Sequence, residues 1–401
     1  MEFAQVTNGS ANNRAYYQRY NARPKSTATS FAGLLDRFYV ELKRLEREAN
    51  SLDRRDALAD ESLYSTIESL AHRQADRLLD ALNTPDEPAL VPTLHAHRWH
   101  RDLLMQSDFI ARALLKPRGY AGDKELMRMI YNNADRGDSN FAVLKNRVYQ
   151  SLPAAEAVRE RMRFLGSLLR DVPDHGRVLN VASGPAAEVR EYLATCPSRN
   201  VQIDLVDHDI DTIRFTRQTI KDRRVHHLVG NALRIAAGDY LTLSPRPWAE
   251  RICDPKRDTQ GMRKATVPLK YGRHRLDVGT YDLVYSAGLF DYIEHRPGST
   301  RSGAQALTAR LFDLVKPGGL LVLGNFLDPS GHRNPHQRSH QLMMEMYSQW
   351  HLLYRSPEAI RQFTGLIPSA RCSVELVDEY RRPIETGTGA VGMLMIRKVS
   401  D

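Results

Sequence analysis

From residue 177 onward the chain repeats one pattern, a short apolar run followed by a helical segment, and this repeat restricts the fold more than any other feature. The runs occupy residues 177–182, 202–206, 227–229, 282–286 and 320–324. Each is too short for a buried helix and lacks strict polar alternation, so each reads as a strand covered on both faces. Strands of that kind separated by helices build a mainly parallel sheet. Two later strand segments, 373–380 and 392–398, are joined by a Gly-rich turn over 385–390 and predict a hairpin forming an antiparallel edge. With 42% hydrophobic and 26% charged residues in 401, the chain has material for a sizeable core.

The first 150 residues have a different texture. Residues 1–28 are rich in Asn, Ser, Thr and Arg and read as a poorly ordered arm. Phe31, Leu34, Leu35, Phe38, Leu42 and Leu45 then fall on one helical stripe. A second helix is expected over 62–82, carrying Leu63, Ile67, Leu70 and Leu78, before Pro85, Pro88 and Pro92 interrupt the pattern. A third carries Leu103, Leu104, Phe109, Ile110 and Leu114, and a fourth, over 154–169, carries Val158, Met162, Leu165 and Leu169. The expected organisation is an arm (1–28), a helical accessory or lid region (29–150) and a catalytic α/β domain (151–401).

Several classes are disfavoured. No run of 18 or more apolar residues occurs, so no membrane span is expected. The start, Met1-Glu2-Phe3-Ala4-Gln5, lacks the basic and apolar segments of a secretory signal, so a cytoplasmic location is expected. Cys196, Cys253 and Cys372 match no Cys-x-x-Cys spacing and read as free thiols. His95, His97 and His100 do not share a helix face, and no metal is expected there. His332, His336 and His340 have helical spacing, but Gly331 and Pro335 argue against the helix. The net charge is +9, and residues 240–278 contribute nine Lys/Arg against four acids. This basic insertion fits a flap or a docking surface for an acidic carrier, or a solvated loop, better than a nucleic-acid-binding body.

The chemistry-bearing residues cluster at strand ends. The first run enters a small-residue turn, Val181-Ala182-Ser183-Gly184-Pro185-Ala186-Ala187-Glu188, where a ligand can approach the backbone at the carboxyl edge of the sheet. The second run ends in Asp207, 27 residues after Asn180, where a carboxylate can accept hydrogen bonds from ribose hydroxyls. Those two elements leave a nicotinamide site open, although a full Gly-x-Gly-x-x-Gly is absent. Gly230-Asn231-Ala232 follows the third run, Ser286-Ala287-Gly288-Leu289 the fourth, and Lys316-Pro317-Gly318-Gly319 precedes the fifth.

In that order the set resembles the motif series of class I S-adenosylmethionine-dependent methyltransferases, over residues 154–401. The resemblance implies a Rossmann-like, mainly parallel seven-stranded sheet with an antiparallel C-terminal hairpin, S-adenosyl-L-methionine as cofactor, and a small-molecule substrate. Its cofactor residues would be Asn180, Ala182, Ser183, Gly184, Glu188, Asp207, Asn231, Ala232, Ser286 and Gly288. A narrower likeness rests on Lys116-Pro117-Arg118-Gly119-Tyr120-Ala121-Gly122-Asp123, Gly288-Leu289-Phe290-Asp291-Tyr292 and Trp350-His351-Leu352-Leu353-Tyr354-Arg355. These segments are similar to the 3-hydroxypalmitate methyl ester biosynthesis group and to azetidine-2-carboxylate synthases, which cyclise S-adenosylmethionine. That group implies a helical N-terminal region closing over the cofactor. The chain departs from it in having Asn180 where an acid is common, and in its basic insertion.

Two reactions therefore stay open: methyl transfer, as in carboxyl O-methylation of a fatty or acyl metabolite, and intramolecular alkylation of the cofactor. A third, non-enzymatic reading is a cofactor-sensing protein that docks an acidic partner. A carboxylate acceptor needs no base near neutrality. Aromatic faces stabilise a sulfonium by about 0.5–2 kcal/mol, which makes Tyr120, Tyr131, Tyr292 and Trp350 candidates. The catalytic candidates are Tyr120, Asp291, Tyr292 and Asn325, while Arg118 and Arg147 could hold a carboxylate bidentately. An ordinary packing or surface role competes for each. No Asp/Asn-Pro-Pro-Tyr/Phe segment follows the fourth strand, which disfavours methylation of nucleic-acid bases.

Overall fold

The computed structural model describes residues 26–82, 87–245, 271–331 and 337–400. They form two compact units: residues up to Arg159 together with Asp328–Leu353, and Glu160–Leu327 together with Tyr354–Asp401. Most of the expected arm, His332, His336, Cys253 and the middle of the basic insertion (246–270) lie outside the described residues. Ser26, Thr27 and Ala28, expected in the arm, instead open the first helix.

The first unit is helical. Helix Ser26–Ser51 buries Phe31, Leu35, Phe38, Leu42 and Leu45, and Glu61–Leu82 buries Leu63, Ile67, Leu70, Ala75 and Leu78. The third expected helix is not continuous. A π-helical turn Trp99–Leu103 and a 3-10 turn Leu104–Gln106 precede a separate helix, Asp108–Leu115. Ser107 causes the break, because its extended backbone and its hydroxyl, accepting from Ile110 N, start the new helix. Trp99 is fully buried, donates Nε1–H to Gln74 at 3.1 Å, and lies 5.6 Å from the Phe38 ring. His95 and His100 reach the backbone oxygens of Met346 and Tyr347 at 2.6 and 2.7 Å. Among the described residues no group of three or more potential metal ligands occurs, and no helix is long and apolar enough to cross a membrane.

The second unit is built on nine strands, two more than expected. They are β1 (Arg177–Val181), β2 (Gln202–Asp207), β3 (Val225–Val229), β4 (Leu241–Pro245), β5 (Tyr271–Arg275), β6 (Tyr281–Ser286), β7 (Val315–Phe326), β8 (Cys372–Asp378) and β9 (Val391–Lys398). Their order is β5-β4-β3-β2-β1-β6-β7-β9-β8. Strands β3, β2, β1, β6 and β7 run parallel. The extra pair β4–β5 adds antiparallel to β3, formed by the two ends of the basic insertion.

The C-terminal hairpin pairs as expected, but β9 is not an edge. It sits antiparallel between β7 and β8, because it is apolar and buried along most of its length whereas the first half of β8 is exposed. The reversal of strand order between β1 and β6 opens a crevice at the carboxyl ends of those strands, where open α/β sheets bind ligands.

Candidate functional site

At the carboxyl end of β1 the chain folds tightly. Ala182, Gly184 and Ala186 take φ of +58, +54 and +47°. Glycine adopts this left-handed backbone freely, but each alanine does so at a cost of about 1 kcal/mol or more. Small residues at these points keep the backbone open to a close approach. The hydroxyl of Ser183, a residue 7% exposed, has no hydrogen-bond partner among the described residues. Ala186 then starts helix Ala187–Thr195 with no side-chain cap. A strained turn, an uncapped helix start and a buried orphan hydroxyl thus share one short segment. That is the provision expected where a polar ligand completes the hydrogen bonding.

Asp207 closes the turn from β2. Its Oδ2 accepts from Gly184 N and its Oδ1 from Asp209 N, both at 2.9 Å. His208 Nδ1 also lies 3.5 Å from Oδ1, so the open acceptor site is on Oδ2. Asn231 is exposed and uses Oδ1 to cap Leu233 N at 2.8 Å, with Ala232 beginning the five-residue helix behind it.

Beneath the turn Asn180, Glu188 and Tyr285 form a closed buried set. Asn180 Nδ2 donates to Glu188 Oε1 and to the Tyr285 oxygen, both at 3.0 Å, and Tyr285 donates to Glu188 Oε1 at 2.8 Å. Burial pushes the Glu188 carboxyl above its ordinary pKa, against the opposing effect of Tyr285 and Arg161. Asn180 and Glu188 therefore support the turn through each other. Ser286 is fully buried and donates to Val181 O at 2.8 Å, which ties β6 to β1.

Across the crevice lies the turn Phe290–Tyr292. Asp291 is 2% exposed, and its Oδ1 accepts from Phe326 N at 2.7 Å. Its Oδ2 has an ion-pair contact with Arg161 at 3.9 Å. Burial pushes Asp291 up to about 7, with Arg161, Phe326 N–H and Arg355 only partly offsetting it. Arg355 fastens this turn, donating to Phe290 O at 2.7 Å and also to Ile293 O and Asn325 Oδ1. Asn325 returns Nδ2–H to Phe326 O at 2.7 Å, so it braces the end of β7. Tyr292 is 43% exposed on the same turn.

The sheet unit thus brings Ala182, Ser183, Gly184, Asp207, Gly288, Asp291 and Tyr292 to the carboxyl ends of adjoining strands. Tyr120, Tyr131 and Trp350 belong to the helical unit, where Trp350 is buried and packs 6.3 Å from Phe109. Arg147, a candidate carboxylate holder, is already bidentate to Asp135 at 2.7 and 2.6 Å and donates to Leu58 O.

Tyr285 and Arg355 lie inside the segments read as motifs but receive no role there, and Arg161 lies outside them. Arg161 did carry a signal, since it lies three residues after Val158 and four before Leu165, a charge on the apolar stripe of its helix.

No family model matches the chain, and no curated protein matches it. Among solved structures it is similar to a "possible exported protein" of Bordetella parapertussis, with 20% identity over 84% of this chain and 97% of that one, at a TM-score of 0.47. The citrinin polyketide synthase CMeT domain is 13% identical over 82% of this chain and 69% of that one, at 0.38. Haemonchus contortus phosphoethanolamine N-methyltransferase 2, in complex with S-adenosyl-L-methionine, is 13% identical over 59% and 52%, at 0.37.

Proposed function

We propose that the crevice between β1 and β6 binds S-adenosyl-L-methionine, and that the chain is a methyltransferase acting on the carboxylate of a small fatty or acyl metabolite. One observation carries the reading: the left-handed Ala182–Ala186 turn with its buried, unpartnered Ser183 hydroxyl, fastened to the Asp207 carboxylate at the strand-order reversal. The residues fit the group. Ser183 offers a hydroxyl, the start of helix Ala187–Thr195 offers amides, and Asp207 Oδ2 retains an acceptor site for a ribose hydroxyl.

When bound, the sulfonium supplies an activated methyl group. The chain's own residues then orient and shield. Asn180, Glu188 and Tyr285 fix the turn from below, and Arg355 fixes Phe290–Ile293. Asp291 Oδ2, lacking a hydrogen bond from the backbone, is the atom that takes or holds a proton near neutrality. A carboxylate acceptor is already ionised, so catalysis on it depends on positioning rather than on a base.

The test begins with calorimetry of the purified chain against S-adenosylhomocysteine. Micromolar or tighter binding is expected, weakened at least tenfold by Asp207→Ala. Absence of binding overturns the proposal. Incubation with S-adenosylmethionine alone then separates the chemistries. No turnover without an acceptor agrees with methyl transfer. Release of methylthioadenosine would replace it with intramolecular alkylation, in which the cofactor's own amino nitrogen forms the new carbon bond as the thioether leaves.

A further inference from the structure

Helix Pro153–Asp171 carries Arg161 into the sheet unit's interior, where it is 4% exposed. Its Nη1 donates to Ala287 O at 2.7 Å, holding the loop after β6. Its remaining donors, on Nε and Nη2, have no hydrogen-bond partner among the described residues. Guanidinium groups this buried ordinarily have their fork engaged, because an unmet charged donor is costlier in a protein interior than a neutral one. In the same protein Arg112, Arg147 and Arg224 each pair bidentately with an aspartate.

Asp291 does not account for the difference. At 3.9 Å from Nη1 it lies beyond hydrogen-bond reach, and its carboxyl binds a proton near neutrality rather than being held ionised. Glu188, the other nearby acid, is pushed toward its neutral form by burial and is engaged by Asn180 and Tyr285. The guanidinium therefore retains positive charge that its neighbours do not fully cancel.

The surroundings also leave room. A side-chain carbon at Gly288 would stand 3.4 Å from Arg161 Nη2, and one at Gly324 would stand 3.4 Å from Arg161 Cδ and 2.4 Å from Ala287 O. Glycines on the loop after β6 and near the end of β7 thus keep the guanidinium's flank clear at the crevice.

We infer that Arg161 is the carboxylate-binding residue of the crevice, its unengaged Nε–Nη2 edge taking a ligand carboxylate bidentately. The inference deepens the proposed function, which supplies two such groups: the amino-acid carboxylate of the methyl donor and the carboxylate of the acceptor.

Calorimetry on the full chain distinguishes them. Wild type, Arg161→Met and Arg161→Lys are titrated with S-adenosylhomocysteine, with methylthioadenosine (which lacks the carboxylate), and with octanoate before and after saturation with S-adenosylhomocysteine. If the donor's carboxylate is held, Arg161→Met weakens S-adenosylhomocysteine about 30-fold or more and leaves methylthioadenosine unchanged. If the acceptor's is held, S-adenosylhomocysteine is unchanged and octanoate binding to the saturated protein is lost. Equal affinities of wild type and a folded Arg161→Met for every ligand overturn the inference. Should the methionine variant not fold, Arg161→Lys decides, since it keeps the charge without the fork and is expected to lose several-fold on the same ligand. If wild type binds neither adenosyl compound, the proposed function fails, and octanoate on the free protein still judges Arg161.

Discussion

Asp204 and Asp291 are each 2% exposed in the sheet unit, yet their surroundings treat the carboxyl charge in opposite ways. Burial pushes both upward. At Asp204 that push is overcome, because His226 Nδ1 lies at 2.7 Å, the Tyr281 hydroxyl at 2.5 Å and Arg177 at 3.6 Å, and the carboxyl stays below its ordinary pKa. Asp291 has one backbone N–H and an arginine at 3.9 Å, and burial wins, raising it to about 7. The first cluster ties β1, β2, β3 and β6 together in the amino half of the sheet. The second keeps its cations at a distance beside the crevice, so that a proton stays exchangeable near neutrality. Charge held by short direct contacts serves the fold, and charge left underpaired is the pattern expected of a functional site.

The same substitution at both positions should separate these roles most strongly. Asp204→Asn is expected to destabilise the chain by about 2–3 kcal/mol, because it removes the charged acceptor of the buried Tyr281 hydroxyl and the partner of His226, while Arg177 keeps Asp277. Asp291→Asn should leave stability near pH 7.5 unchanged or improved, since it removes a carboxyl that burial disfavours. Urea unfolding with constant m-values measures both. Comparable losses at the two positions would end the distinction.

The pH dependence sharpens it. Asp204 contributes stability above the ordinary aspartate value of 3.8, lost as pH falls through its lower folded value. His226 is raised, first by its hydrogen bond to Asp204, so its contribution is complete below 6.5 and disappears as pH rises through its folded value. Asp291 acts in the contrary sense. With a folded value of about 7, the folded state keeps a proton that the unfolded chain has released, so stability falls as pH rises from about 4 to about 7. Asp291→Asn should flatten that decline, by about 1–2 kcal/mol between pH 5 and pH 7. Unfolding midpoints across that range give the answer, and parallel curves for the variant and wild type would contradict the assignment.

Smaller effects are expected under the turn. Tyr285→Phe deletes the hydroxyl that both Asn180 and Glu188 use, and should cost about 1–3 kcal/mol. Glu188→Gln should cost less, because burial already favours the neutral acid. A larger loss for Glu188→Gln than for Tyr285→Phe would show that Glu188 carries charge.

The parallel strands were legible because burial on both faces writes an apolar run that needs no partner to be recognised, as in Val178–Val181 and Leu283–Tyr285. β4 and β5 were not, because Leu241–Pro245 and Tyr271–Arg275 flank a basic stretch whose charge masked their pairing. The turn after β1 was readable from small residues that allow close approach. Its left-handed alanines were not, since alanine by itself gives no sign of such a backbone. Ser286 and Asn325 are polar residues at the expected strand ends whose hydrogen bonds to Val181 O, Phe326 O and Arg355 no sequence pattern announces. Sequence position says which edge a side chain reaches, whereas the hydrogen-bond partner decides whether it faces a ligand.

The smallest expected effect concerns that strained turn. Ala182→Gly or Ala186→Gly removes the penalty of a Cβ at positive φ, offset by the greater freedom of glycine in the unfolded chain. The net gain should be about 0.5 kcal/mol or less, read as a slight rise in melting temperature. Glycine is also acceptable at Ala186 as the residue before a helix. If the strain serves to hold the turn for a ligand, the same variants should bind S-adenosylhomocysteine several-fold more weakly, since more loop freedom is lost on binding. A stability gain with unchanged affinity would mean that the alanines are incidental, and the contrast between a strained crevice and a satisfied amino half would then rest on Asp291 and Arg161 alone.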